Sequence, residues 1–433
     1  MQEASEEEKK LGLEVFYTST EGIGGKLKVA CDDFIVEELS LAPKPRENGK
    51  YTIAKIRAKN WETNKLVREF ARALKITRKK IRFAGTKDKR AITTQLFAFE
   101  IPKEKVATLR LPDIEILELY TSNKMLEIGD LLGNKFEITV KEIKISNSEL
   151  GRRVESISAE LLKLGGIPNF YGVQRFGAVR PITHLIGKYI IRKDFEKAIM
   201  SYLTITSKEE RSEIQASRNF LRSSYDFKKA LLLYPKELIF ERAIIHYLAK
   251  FPNDYINALK QLPKNLQMMF IHAYQAYIFN RVLSKRISLK MPLNEAMLGD
   301  FVTTVDKYNL PSCDRFIKAD ERNISKLNQK IKERKAFVSG VIFGFNSSLA
   351  EGAQGEIEHK IIEEERVSRE DFIIPAIPEL SSKGERRNLL APINSLEYEI
   401  SNKDLKVKFQ LPKGSYATSL LREFMKADKL TDY

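Results

Sequence analysis

The chain has little from which to build a disulfide framework or a metal centre. Its 433 residues include two cysteines, Cys31 and Cys313, too far apart in sequence to suggest a disulfide scaffold. The four histidines, His184, His246, His272 and His359, form no HxH or HExxH pairing with one another or with a cysteine. That excludes the common zinc patterns and leaves them as ordinary core or surface positions. No apolar run approaches the ~18 residues of a membrane span, and no basic-then-apolar leader opens the chain. The expectation is a cytoplasmic protein in a reducing compartment, with no membrane partner. "GIGGK" (Gly22–Lys26) lacks the GxxxxGK[ST] spacing of a phosphate loop, and Leu27 stands where a hydroxyl would be needed, so it reads as a flexible hairpin turn. Negative charge is also scarce. Asp plus Glu number 58 against 74 Lys plus Arg, a formal charge of +16. An excess this large favours a polyanionic partner, with nucleic acid well ahead of an anionic membrane.

What is present suffices for a large folded protein. Apolar residues make up 43%, and the length calls for one large or two domains. From about Lys26 to Leu150 the texture is mixed α and β. "KLKVACDDFIVEEL" and "YTIAKIRAK" alternate as strands, and "TNKLVREFARAL" carries Leu66, Val67, Phe70, Ala71 and Leu74 at helical spacing. From about Arg180 to Lys335 the expectation is mainly helix. Phe195, Ala198, Ile199 and Tyr202 share one helical face, as do Phe270, Tyr274, Tyr277 and Ile278, and such aromatic stripes read as core. "GFNSSLAEGAQGE" from Gly344 reads as a long loop, and "MQEASEEEKK" as a frayed, solvated start. In "DLKVKFQL", Leu405, Val407, Phe409 and Leu411 alternate with polar residues, the cleanest strand in the chain. "PKGS" then turns into a helix burying Leu420, Leu421 and Phe424.

Chemistry concentrates in "FAGTKDKRAITTQ" (Phe83–Gln95). Two extended segments flank a polar loop whose single acid, Asp88, lies among Lys87, Lys89 and Arg90. Nearby cations depress a carboxylate's pKa, so such a group stays ionised and can act as nucleophile or base. A turn aspartate bound to local backbone is the competing reading, and the loop alone does not displace it. "NFYGVQRFG" (Asn169–Gly177) interleaves aromatics with arginine, which suits either base stacking or a packed aromatic corner. "GERRN" (Gly384–Asn388) is a plausible phosphate contact or a solvated charge pair.

Taken in order, "DDFIVEE" (Asp32–Glu38), "FAGTKDKRAITTQ", "GNKF" (Gly133–Phe136), "NFYGVQRFG", "HAYQAYIFN" (His272–Asn280), "GERR" and "LPKGSYATSLLREFM" (Leu411–Met425) resemble the TruD family of pseudouridine synthases, in its archaeal branch. The resemblance spans nearly the whole chain. It implies an α/β (α+β) fold: a pseudouridine synthase catalytic domain with a mixed, largely antiparallel sheet, interrupted by a helix-rich insertion (TRUD) domain. The implied boundaries are 1–168 and 391–433 for the catalytic domain and 169–390 for the insertion. The implied activity is isomerisation of a tRNA uridine to pseudouridine, commonly at position 13 of the D-arm, with precursor tRNA or other RNAs used in some branches. No cofactor, metal or obligate protein partner is implied, because the bond broken is remade within the same nucleotide.

Carried over by position, Asp88 is the catalytic aspartate and Lys28 its basic partner. Phe34, Asn134, Phe136 and Tyr416 contact the target nucleotide, with Phe136 packing on the base. Lys87, Arg90, Arg175, Arg386 and Arg387 are weaker candidates for RNA contact. Tyr416 stands where bacterial relatives often carry Phe, and "NFYG" reverses their "NYFG". A non-catalytic RNA-binding protein is the main competing class. A metal-dependent nuclease ranks below it, since the loop offers only one acid.

Overall fold

The computed structural model describes residues 2–87 and 89–433, which fall into two compact units. One comprises Thr20–Ile167, Ala391–Ala427 and Asp432–Tyr433; it is the sheet unit. The other comprises 2–19, Pro168–Leu390 and Asp428–Thr431; it is the helical unit.

The sheet unit is built on an eight-stranded mixed sheet. Its order is Asn394–Ser401, Asp404–Pro412, Leu131–Val140, Phe34–Ser40, Ile92–Phe99, Tyr51–Lys59 and Ile114–Ser122, with Ile81–Phe83 also pairing with Ile92–Phe99. Phe34–Ser40 and Ile92–Phe99 run parallel; every other pairing is antiparallel. The Asp404–Pro412 strand forms as its alternation predicts: Leu405, Val407, Phe409 and Leu411 are buried, while Lys406, Lys408 and Gln410 are half-exposed. The Thr63–Ala73 helix lays Leu66, Val67, Phe70 and Ala71 on the sheet, where the Phe70 ring meets Phe97 edge-on at 5.2 Å. "KLKVACDDFIVEEL" is strand only from Phe34. Asp33 accepts a hydrogen bond from the Ala30 amide at 2.6 Å and closes a 3₁₀ turn over Cys31–Asp33 instead. "GIGGK" is irregular rather than a hairpin, joined to the sheet through an isolated Lys26–Lys141 bridge.

The helical unit centres on the 25-residue Lys264–Ser288 helix, which buries Phe270, Tyr274 and Ile278 as their spacing predicts. Around it pack the helices from Thr183–Ile191 to Tyr255–Leu259, with Ala198, Ile199 and Leu203 fully buried. Three expectations fail here. The stretch up to Lys335 is not helical throughout: Phe301–Val305 and Pro311–Lys318 join Ala336–Ile342 and Glu385–Asn388 in a four-stranded antiparallel sheet. β-branched "FVTTV" has no apolar 3.6-residue stripe with which to dock a helix. "GFNSSLAEGAQGE" is loop only as far as Glu351, after which Gly352–Glu365 is a helix. The opening residues are not frayed. Gln2–Glu3 pairs with Val15–Phe16, Ser5 and Glu8 form a capping box, and Leu11 and Leu13 are buried.

Candidate active site

The Ala84–Ala91 loop leaves the Ile81–Phe83 strand and returns as Ile92–Phe99. Asp88 itself lies outside the described residues, but the residues on either side of it are held at several points. The Lys87 backbone amide donates to Thr63 Oγ1 at 2.8 Å, and Thr63 in turn donates to Gln95 Oε1 at 3.1 Å. Gln95 Nε2 returns to the Gly85 carbonyl at 3.2 Å. The Lys87 ammonium reaches Glu38 Oε2 at 2.9 Å, with side-chain exposures of only 7% and 0%. On the far side of Asp88 in sequence, Arg90 donates to the Lys28 carbonyl at 3.4 Å.

Glu38 fixes where this loop sits. Across the strand pair Glu38 lies opposite Asn134, Val36 opposite Phe136, and Phe34 opposite Ile138. On the other flank Phe409 pairs with Phe136 and Leu411 with Asn134. Paired residues share a sheet face, so Phe34, Glu38, Asn134, Phe136 and Phe409 all project from one side. Phe136 stacks on Phe409 at 5.1 Å and meets the Phe34 ring edge-on at 6.4 Å. The Lys28 ammonium lies 4.5 Å from the centre of the Phe34 ring. Tyr416 stands at the N-cap of the Ala417–Met425 helix, four residues beyond the strand end that pairs with Gly133. Asn134 Oδ1 is buried and has no hydrogen-bond partner among the described residues. An acceptor left in that state costs about 1–3 kcal/mol, which a ligand's N–H would recover.

The structure therefore gathers Lys28, Phe34, Asn134 and Phe136 around the loop. It reassigns two of the expected RNA contacts. Lys87 is buried and ion-paired with Glu38, so it faces the sheet and not a ligand. Arg386 is 7% exposed, bonded to Glu358 at 3.0 Å, to Ser339 and to the Ser348 carbonyl, because its side chain turns inward from the edge strand Glu385–Asn388. Arg387 is half-buried, clamped on Asn169. Arg90 is exposed and Arg175 half-exposed. The sequence reading missed Glu38, although it stands inside "DDFIVEE"; the signal was a glutamate in a register position that otherwise buries Phe34 and Val36. It also missed the exposed run Arg78, Lys79, Lys80 and Arg82, which leads directly into the loop. Among the described residues no group of three or more His, Cys, Asp or Glu is placed to hold a metal, and no helix is long and apolar enough to cross a membrane.

Comparison with known proteins first defines a class, the pseudouridine synthases. The family model for tRNA pseudouridine synthase D (TruD) matches residues 10–424. A Methanococcoides burtonii protein named "Probable tRNA pseudouridine synthase D" is 43% identical over 431 residues, covering 98% of both chains. A Methanosarcina acetivorans protein of the same name is 42% identical over 436 residues, covering 99% of this chain and 98% of its own. The crystal structure of the "Putative tRNA pseudouridine synthase D (TruD)" from Methanosarcina mazei superposes with a TM-score of 0.85 at 39% identity, covering 98% of each chain. The chain belongs to the TruD family.

Proposed function

We propose that this chain converts a uridine of tRNA to pseudouridine, with the uridine at position 13 of the D-arm as target. The sheet unit serves as the catalytic domain and the helical unit as the insertion, with boundaries near 168 and 391 and with residues 2–19 and Asp428–Thr431 going with the helical unit. The observation that carries this reading is the double anchoring of the loop around position 88. Lys87 is tied to Glu38 and Thr63, and Arg90 to the Lys28 backbone, beside a buried, unsatisfied Asn134 oxygen.

In this reading the target base leaves its stack, at a cost of a few kcal/mol that contacts in the pocket offset. Asn134 Oδ1 accepts from the uracil N3–H, the partner it lacks in the free protein. Phe34 and Phe136 form the apolar wall against the base, and Tyr416 contacts the nucleotide from the helix N-cap. Asp88 acts as nucleophile or base, kept ionised by the Lys28 ammonium. The C1′–N1 glycosidic bond breaks, the uracil turns within the site, C1′ bonds to C5, and the proton lost from C5 is balanced by one gained at N1. The reaction is an isomerisation and needs no group from outside.

The test uses an unmodified tRNA transcript. Asp88→Asn is expected to abolish pseudouridine formation while transcript affinity stays within about threefold, since uniform binding is separable from chemistry. Mapping the product should place it at position 13. A fully active Asp88→Asn enzyme would sink the assignment and favour a non-catalytic RNA-binding protein.

A further inference from the structure

The helical unit contains a pocket of about 240 Å³ that shares no residue with the uridine site proposed above. Tyr171 and Arg175 line one wall, His272 and Gln275 project from the Lys264–Ser288 helix, and the Lys383–Gly384 corner closes the rim. Three stretches that stand out separately in the sequence, "NFYGVQRFG", "HAYQAYIFN" and "GERR", thus meet at one place.

The pocket is built rather than incidental. Gln275 forms its floor: Nε2 donates to the Phe343 carbonyl at 2.7 Å, and Oε1 accepts from the Ser382 hydroxyl at 3.1 Å. The Tyr171 ring is fixed edge-on against Phe279 at 5.6 Å, with the Arg387 guanidinium 4.3 Å from its centre and Arg175 at 5.4 Å. Arg387 is itself locked onto Asn169 through its carbonyl at 3.1 Å and Oδ1 at 2.6 Å. At the rim only glycine fits position 384: φ is +74°, and a Cβ there would lie 2.5 Å from the Ile342 carbonyl and 2.6 Å from the Gly344 nitrogen. The Lys383 carbonyl accepts from the Asn346 amide at 2.9 Å, so this exposed lysine extends from a rigid corner.

The chemistry of the lining selects the occupant. Two cations, Arg175 and Lys383, oppose one rim acid, Glu385, which favours an anion. An aromatic ring held beside arginine guanidiniums is a combination that packs against unstacked bases. His272 is exposed at the mouth; partial desolvation and secondarily the Arg175 charge hold its imidazole below its ordinary pKa, so at neutral pH it offers one donor and one acceptor. The volume of about 240 Å³ falls below the roughly 300–1,000 Å³ of pockets that enclose drug-sized ligands, so it suits a base with its sugar and phosphate left at the open rim. We propose that this pocket holds one unpaired nucleotide of the RNA substrate, its base against Tyr171 and its phosphate between Arg175 and Lys383. The proposal rests on the reading that the substrate is RNA, and gives the helical unit a docking role of its own.

The experiment compares full-length wild type, Arg175→Gln, Lys383→Gln and the control Lys326→Gln on an unmodified tRNA transcript. Lys326 is exposed elsewhere on the same unit and removes the same charge. Each pocket variant should raise KM and the transcript Kd by about five- to thirtyfold, the equivalent of one or two lost contacts. kcat should change by less than about twofold, because the pocket binds substrate without touching the reacting atoms. The slope of log affinity against log salt should fall by about one for each pocket variant. Pocket variants indistinguishable from Lys326→Gln would overturn the proposal. A wild type that forms no pseudouridine yet shows this pocket-dependent affinity would sink the catalytic reading and leave the docking site standing.

Discussion

At the scale of single residues, the Lys87–Glu38 pair decides whether the loop can present its acid. Both side chains are nearly or fully buried, and each is the other's charge partner at 2.9 Å. Removing one partner of a buried pair leaves an uncompensated charge, at a cost of roughly 3–5 kcal/mol. The cheaper response is for the loop to open and hydrate the stranded group, so the loss should appear in the chemistry before it appears in global unfolding. Glu38→Gln and Lys87→Met are each expected to lower the single-turnover rate by at least about tenfold, on the scale of 1.4 kcal/mol or more of lost positioning. KM for the transcript should move far less. Rates within about twofold of wild type for both variants would show that the pair does not position the loop. This arrangement was not legible in the sequence. Lys87 and Lys89 are the same residue two places apart, yet among the described residues only Lys87 finds a carboxylate, and that carboxylate is 49 positions away. The burial of Arg386 was hidden for the same reason, since Glu358 and Ser339 reach it through tertiary structure. By contrast, the loop, "GNKF" and "DDFIVEE" stood out by composition, because polar residues inside apolar strand patterns have few structural uses.

At the scale of elements, periodicity carried most of the fold, and close approach of backbones carried the part it could not. The Lys264–Ser288 helix and the Asp404–Pro412 strand follow directly from their apolar spacing. How helices pack depends on single small residues whose role no spacing reveals. Gly187, in the Thr183–Ile191 helix, faces the Lys264–Ser288 helix so closely that a Cβ would lie 2.0 Å from the Phe270 carbonyl and 3.1 Å from Tyr274 Cβ. Alanine is the better helix former by about 1 kcal/mol, but here the two helices would have to separate, and overpacking costs about 1–3 kcal/mol. Gly187→Ala should therefore destabilise the chain by up to about 2 kcal/mol net in urea unfolding followed by helical circular dichroism. Gly151→Ala is the matched control. Its Cβ would find nothing nearer than Ile400 Cδ1 at 4.0 Å, so propensity alone should act and stability should hold or rise. A Gly187→Ala protein as stable as wild type would mean the helix contact is softer than its geometry indicates. The 301–318 strands and the ordered start escaped the sequence reading for a related reason. Gln2–Glu3, Val15–Phe16 and Phe301–Val305 are too short to show a period, and "PSCDRFIK" (Pro311–Lys318) does not alternate apolar with polar residues.

At the scale of the whole molecule, the +16 charge is what remains after many cations are neutralised internally. Arg286 is fully buried against Asp300, and Arg218 against Glu210 and Glu241. Those residues add to the lysine and arginine count but offer nothing to a ligand. The exposed run Arg78, Lys79, Lys80 and Arg82 is different, because it enters the loop that carries Asp88. A grip on phosphates by such residues releases counterions, so affinity falls linearly in log–log form with a slope of about −0.9 per phosphate neutralised in duplex and about −0.7 in single strands. Transcript affinity measured between about 50 and 200 mM salt should fall with a slope steeper than about −3. Replacing Arg78, Lys79 and Lys80 together by glutamine should make that slope shallower by about 2–3, with single-turnover chemistry at saturating enzyme little changed. A flat dependence in the wild type would mean that the positive excess serves something other than the RNA backbone. An unaltered slope in the triple variant would move the phosphate grip to another face of the protein.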